Sequence, residues 1–218
     1  MEIADSVKKH TVDLSRVVLG DLSRLRFVIR FSNCPRIHNE SVGEHSFYTA
    51  LYSYFIAVGL RVQGHEIYIG QVLAKALMHD VDECLSGDFI RMFKHSNPEL
   101  KQAIDQASAK FTKGMTRDIS NSSTLADVYF ADWEKAKLGR EGKIVAFADY
   151  LSVLSYVAQE IELGNVRMRR QIPELKRFHS SFRSPDFKFL EEYVDQAEEV
   201  LKSLPEDKNE CRKVPRHS

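Results

Sequence analysis

The sequence predicts an all-α fold. Apolar residues recur at helical spacing along nearly the whole chain, caps and glycines mark helix starts and stops, and no run shows the alternation of a strand. Gly20-Asp21 ends one short helix and caps a second, with apolar positions Leu22, Leu25, Val28 and Ile29. Ser32 to Asn39, which holds Pro35, reads as a loop. Ser41-Val-Gly-Glu44 has capping-box form and predicts a helix from Val42 to about Gly59. Glu66 to about Cys84 is the next, with Ile69, Val72, Leu73 and Ala76 as its buried stripe.

Asn97-Pro98-Glu99 supplies a cap, a first-turn proline and a favourable acid for a helix ending near Gly114. After the polar break Ser120–Ser123, a helix is expected over about Leu125–Leu138, stopped by Gly139. Lys143 to Leu163 is the most apolar stretch, with Gly164-Asn165 as its C-cap. Asp186 is expected to cap the last long helix, whose face is Leu190, Tyr193, Val194, Ala197 and Leu201, with Pro205 beyond. With no repeat or linker visible, one helical domain is expected over residues 1–205, and 206–218 reads as a polar, disordered tail.

Composition narrows the class. A chain of 218 residues, 43% hydrophobic and 28% charged, can build one substantial core. Lys plus Arg equals Asp plus Glu at 31 each, so no global field favours polymeric nucleic acid or an acidic membrane, although one basic pocket for a small anion remains compatible. Cys34, Cys84 and Cys211 are too few and scattered for a disulfide framework. No secretory signal is visible and no apolar stretch approaches the roughly 18–20 residues of a membrane span, so a cytoplasmic protein is expected.

Three segments carry chemistry. In MHDVDECLSGD, His79 and Asp80 continue the buried stripe of the preceding helix, so two ligand-type groups reach the edge of the interior, with Glu83 one turn on. Asp149 sits inside KIVAFADYLSVL, where an ionised carboxylate needs a strong partner. His45 lies in the first turn of a capped helix. Alone, each has a bland reading: a surface histidine, a common dipeptide, a buried cap or salt bridge, a solvated glutamate. Together they give two imidazoles and two carboxylates from three helices, a mixed shell suited to one divalent ion of Mn, Fe, Co, Ni or Zn rather than Mg or Ca. No further histidine cluster suggests a second metal. Four protein ligands on a six-coordinate ion leave room for water and a substrate oxygen.

The segments LSRLRFVIRF, ESVGEHSFYTA, ALMHDVDECLSGD and KIVAFADYLSVL, in this order between about Leu22 and Asn165, resemble the HD-domain phosphohydrolase superfamily, and within it the 5′-deoxynucleotidase family typified by YfbR. The resemblance implies a single HD-domain helical bundle that hydrolyses deoxyribonucleoside 5′-monophosphates to deoxynucleoside and phosphate. It also implies a small-molecule nucleotide as the partner and a homo-oligomer, dimer or larger. Carried over by position, it makes His45, His79, Asp80 and Asp149 the metal ligands and Glu83 the acid/base. Asp88 becomes a second essential carboxylate near the sugar or attacking water, Arg30 a phosphate-binding arginine and Lys94 a lysine near the phosphates.

Two departures bear on the substrate. Phe31 stands where the family commonly has a tryptophan against the deoxyribose, a smaller wall that loosens sugar discrimination. The family's GD-x-P-T-P stretch is Gly87-Asp-Phe-Ile-Arg-Met here, and Arg91 adds a positive charge able to reach a longer phosphate chain. The rival activities are therefore a dNTP (dATP) triphosphohydrolase using the same metal set and a non-catalytic nucleotide-binding protein. Retention of all four ligands and Glu83 speaks against the latter.

Overall fold

The computed structural model describes residues 10–88 and 97–205, in which helices are joined by turns and loops. The predicted tail, and with it Arg91 and Lys94, lies outside the described residues. The chain forms two compact units. One takes the chain up to Asn33 and again Glu40–Asp149; the other takes Cys34–Asn39 and the chain from Tyr150 onward.

In the first unit, α1 (Leu14–Leu19) is capped by Asp13, and Gly20 follows it. The Gly20 N–H donates to the Arg16 carbonyl at 2.9 Å, and a Cβ at position 20 would lie 2.1 Å from that oxygen, so only glycine fits. The expected second helix is a 3₁₀ segment, Asp21–Arg26, shorter than its apolar positions suggested. Val28 and Ile29 lie beyond it. The Val28 carbonyl accepts from the Val42 N–H at 2.9 Å, the Glu40 carbonyl accepts from the Arg30 N–H at 2.9 Å, and Ile29 bridges Ser41. This tie fixes Arg30 beside the start of α2 (Val42–Val62).

Helix α2 has the capping box the sequence predicts. The Ser41 side chain accepts from the Glu44 N–H, and the Glu44 carboxylate accepts from the Ser41 N–H at 2.7 Å. Such a cap stabilises a helix by about 1 kcal/mol and sets the rotation of its first turn. Helix α3 is shorter than expected: it runs Ile69–Met78, residues 79–82 are turns, and α4 is the single turn Glu83–Ser86. His79 Nδ1 bonds the Ala76 carbonyl at 2.7 Å, the acceptor that the Asp80 N–H would use in a continuing helix, and the chain tightens into i→i+3 bonds such as Glu83 N–H to Asp80 O at 3.1 Å.

Asn97 caps α5 (Pro98–Asp118), and Ser122 caps α6 (Ser123–Glu134), which ends before the predicted Leu138. Gly139, with φ +74°, opens α7 (Gly139–Glu162) rather than only stopping its predecessor. Val81, Cys84 and Met115 are buried together, with Leu22, Leu25, Met78, Phe111 and Trp133 packed on them, and this cluster backs the turn that carries Asp80. Contrary to the sequence reading, α7 does reach a membrane span's length and hydropathy; most of that window is buried, as in a core helix.

The second unit takes α7 from Tyr150 on. Its end is a Schellman motif: Gly164, φ +97°, donates to Ile161 O, and Asn165 donates to Glu160 O at 2.9 Å. The buried Glu160 carboxylate accepts from the Ile37 and His38 N–H groups at 2.8 and 2.7 Å, which orders the predicted loop. Helix α8 (Ile172–Ser181) lies in a stretch the sequence reading left undivided. Asp186 does not cap the last helix. It sits in a 3₁₀ segment, Pro185–Leu190, that leads directly into α9 (Glu191–Ser203), so the helix needs no side-chain cap. Leu190, Val194, Ala197 and Leu201 are buried on the predicted face.

Candidate metal centre

Each of the four predicted ligands reaches the centre by a different device, and all belong to the first unit. His45 is the fourth residue of α2, and the cap that fixes that turn points its fully buried imidazole inward. His79 ends α3. A carbonyl can only accept, so the Nδ1 bond to Ala76 places the ring proton on Nδ1 and leaves Nε2 with its lone pair. Asp80 follows in the turn, and Asp149 comes from α7.

Their donor atoms converge. His45 Nε2 lies 3.0 Å from Asp149 Oδ1, 3.5 Å from Asp80 Oδ2 and 3.4 Å from His79 Nε2, and His79 Nε2 lies 3.0 Å from Asp80 Oδ2. Two donors each about 2.1 Å from one ion are about 3.0 Å apart at a right angle and about 3.4 Å apart at the tetrahedral angle. The edges among His45, His79 and Asp80 therefore have the size a single cation requires, and Asp149 joins them through its contact with His45. The donor set, two imidazole nitrogens and two carboxylates, fits a divalent metal.

The electrostatics follow from crowding. Burial, aided by the Arg30 charge, lowers the His45 pKa to about 4, so its imidazole stays neutral. Burial also disfavours charge at His79, but the adjacent Asp80 carboxylate outweighs it and raises the pKa. Burial opposes ionisation of Asp80 and Asp149 too, yet His79 beside the first and Lys137 beside the second hold both below the ordinary aspartate range.

Glu83 behaves in the opposite way. Burial and the neighbouring Asp80 and Asp88 carboxylates push its pKa well above the ordinary value, and its Oε2 is buried without a hydrogen-bond partner. It is a proton-holding carboxyl at the edge of the cluster. Asp88 accepts the Phe31 N–H at 3.0 Å. That bond holds Phe31 at φ +52°, a left-handed conformation costly for a side-chain-bearing residue, and the Arg30 guanidinium stands 5.7 Å from the Phe31 ring centre. Arg30 Nη1 donates to Glu40 at 3.1 Å, while its buried Nε has no partner. Burial raises Glu40 to about 7 against the pull of Arg30.

A cavity of about 520 Å³ opens beside His79, Asp80 and Glu83 and continues along Lys101, Ser108, Trp133 and Lys137, within the size range of nucleotide-sized ligands. Sequence reasoning missed Glu40 and Lys137. Nothing near Glu40 marks it apart from the cap that follows, and Lys137 sits in an ordinary-looking Ala-Lys-Leu-Gly turn.

Comparison with known proteins agrees with this fold. An HD-domain phosphohydrolase from Listeria innocua superposes with a TM-score of 0.70 at 23% identity, covering 87% of this chain and 92% of that one. A cyanophage S-2L HD phosphohydrolase, solved bound to dA and one catalytic Zn²⁺ ion, superposes with a TM-score of 0.56 at 18% identity, covering 84% and 96%. The fold is that of the HD-domain phosphohydrolases, all-α as the sequence predicts. Residues 18–203 match the model of the YfbR-like 5′-deoxynucleotidases, and the chain belongs to that family. A 5′-deoxynucleotidase of Yersinia pseudotuberculosis is 26% identical over 177 residues, 74% of this chain and 88% of that protein.

Proposed function

We propose that this chain is a metal-dependent 5′-nucleotidase that hydrolyses deoxyribonucleoside 5′-monophosphates to deoxynucleoside and phosphate, with His45, His79, Asp80 and Asp149 as the metal ligands. The observation that carries the reading is the convergence of His45, His79 and Asp80 donors with edges of 3.0–3.5 Å, with Asp149 Oδ1 3.0 Å from His45 Nε2, in a chain of this family. The family's activity and the dA held by the cyanophage neighbour support a deoxyribonucleotide substrate. The ion is one of Zn, Co, Mn, Fe or Ni; the zinc of that neighbour supports the class without choosing the member.

A divalent ion held by His45, His79, Asp80 and Asp149 would supply Lewis-acid polarisation of a phosphoryl oxygen and a water of lowered pKa. The chain's own groups do the rest. Glu83, which a bound cation would return to its ionised form, takes a proton at its carboxylate from the attacking water and returns it to the 5′ oxygen as the phosphorus–oxygen bond breaks. Arg30 offers its unpartnered Nε–H to a phosphoryl oxygen, while Glu40 holds the other end of its guanidinium in place. Asp88 fixes the Phe31 backbone and so the apolar wall against which the sugar rests.

We further propose a homo-oligomer in the cytoplasm. Phe47, Phe55 and Val62 are exposed on one side of α2, an apolar strip of the kind subunit contacts cover, and the buried Cys84 is a free thiol. Light scattering after size exclusion tests the assembly.

The deciding experiment offers metal-stripped protein, reloaded with Co²⁺, Mn²⁺ or Zn²⁺, a panel of dNMP, NMP and dNTP with product analysis. Release of orthophosphate from dNMP supports the proposal. Triphosphate released from dATP replaces it with the triphosphohydrolase reading, and no cleavage of any substrate refutes both.

A further inference from the structure

Lys137 is unusual for a lysine in a surface turn because its position is built from several directions. Its Nζ lies 2.6 Å from Asp149 Oδ2, while the other carboxylate oxygen, Oδ1, faces His45 Nε2 at 3.0 Å. The two oxygens of Asp149 are thus divided between the histidine cluster and the lysine.

The turn that carries Lys137 is pinned. Lys75, buried and reaching from α3, donates to the Lys135 carbonyl and to the Leu138 carbonyl at 2.8 Å, one on each side of Lys137. Ala136, beside it, is buried. Gly142, on the first turn of α7, allows the closest approach: a Cβ there would lie 2.5 Å from the Lys137 carbonyl carbon and 3.0 Å from its Cα. A lysine serving only solubility needs neither a buried lysine stapling its turn nor a glycine cut to its backbone.

We propose that Lys137 is a positioning residue that holds Asp149 as a single-oxygen metal ligand by occupying Oδ2, so that only Oδ1 is presented to the ion. This rests on the ligand assignment above. The consequence is geometric. A carboxylate free to turn both oxygens inward would take two coordination positions, one of which the reaction needs for water or a phosphoryl oxygen. Holding Oδ2 on an ammonium keeps that position open and fixes the direction of the Oδ1 lone pair.

The test is metal binding, read apart from turnover. Cobalt(II) is titrated into the metal-free full chain against a chromophoric chelator, and the visible absorption of the bound ion is recorded. K137M should weaken the affinity by about 10–100-fold, the range that outer partners of metal ligands command, and change the cobalt spectrum as the coordination number alters. K137R should recover most of the affinity. Gly142→Ala, which leaves Lys137 in the chain but pushes its backbone away, should reproduce the weakening and the spectral change of K137M. A K137M protein that binds cobalt as tightly as wild type, or more tightly, with the same spectrum overturns the proposal. His79→Ala separates this from the ligand assignment. If wild type binds cobalt and H79A does not, the assignment stands whatever K137M does; if wild type binds none, both fall.

Discussion

Replacing Glu83 by glutamine separates the chemistry of the site from its stability. Glutamine copies the shape of a protonated glutamate, and Glu83 is pushed well above its ordinary pKa, by burial and then by Asp80 and Asp88. The sign follows. A carboxyl whose folded pKa exceeds its unfolded value of 4.5 keeps its proton longer in the folded state, so its contribution to stability is intact at low pH. That contribution is lost as pH rises from 4.5 through the raised value. E83Q has no proton to lose. Metal-free E83Q should therefore melt at or above the wild-type temperature at neutral pH, with a difference that grows as pH rises from 4.5 and closes below it. Each pKa unit between the two states is worth about 1.4 kcal/mol, or roughly 3–6 °C in a chain of this size. A bound cation would draw the pKa back down, which is why the melting comparison uses metal-free protein. Activity moves the other way: loss of a general acid/base lowers kcat by about 10²–10⁴, or about 3–5 kcal/mol of barrier, while cobalt affinity stays within about threefold. The assays are scanning calorimetry across pH and phosphate release from dNMP by the reloaded enzyme. E83Q retaining more than a tenth of wild-type turnover, or melting below wild type at neutral pH, would refute the role.

Loading the site should stabilise the fold. An ion at 1,000 times its Kd adds about 4.1 kcal/mol, a rise of about 8–16 °C that a chelator reverses and H79A abolishes; a melting temperature indifferent to Co²⁺, Zn²⁺ and Mn²⁺ means that the four donors hold no ion. Metal binding should also release protons. Burial works against the His79 charge but Asp80 prevails and raises its pKa above 6.5, so the metal-free folded state carries that proton more often than the unfolded chain; its stabilising contribution is full below 6.5 and fades as pH rises through the raised value. Ligation needs the neutral ring, so release should grow as pH drops from 8 to 6, while His45, at about 4, adds nothing in that window. Calorimetry in buffers of different ionisation enthalpy measures the count, and zero release at pH 6.5 would contradict it. Phe31→Trp should raise the ratio of dNMP to NMP kcat/KM by on the order of tenfold, because a larger wall leaves less room for a 2′-hydroxyl; an unchanged ratio would remove Phe31 from the sugar site.

How much of this was legible in the sequence depends on whether the cause is local. His45 was legible because a capping box is a four-residue signal that states where a turn begins. Asp149 was legible because a lone carboxylate in an apolar run is costly unless partnered. The predicted extension of α3 through Cys84 failed for a reason no periodicity reveals: the stripe continues, but His79 Nδ1 takes the Ala76 carbonyl and the chain tightens into i→i+3 turns. The 3₁₀ segment at Asp21–Arg26 and the 3₁₀ lead-in that replaces a cap at Asp186 are likewise decided by packing over one turn. Lys137 and Glu40 could not be read at all, since each matters through a partner 12 or 10 positions away that no local rule connects.

The end of α3 at His79 also bears on how the proposed ligands come together. On one continuous helix the Asp80 N–H would need the Ala76 carbonyl, which His79 Nδ1 already holds at 2.7 Å. The i→i+3 turn that follows instead carries Asp80, with its Oδ2 3.0 Å from His79 Nε2 and 3.5 Å from His45 Nε2. The same Nδ1 bond that ends the helix fixes the tautomer that leaves Nε2 ready to ligate. Helix termination and ligand chemistry are thus one interaction. A substitution that restored the helix, such as His79→Leu, should cost more metal affinity than the loss of one ligand alone, because it would carry Asp80 out of reach as well. His45→Ala, which removes one imidazole and leaves the His79 bond to Ala76 intact, should cost less. Equal losses in the two variants would mean that the turn is set elsewhere.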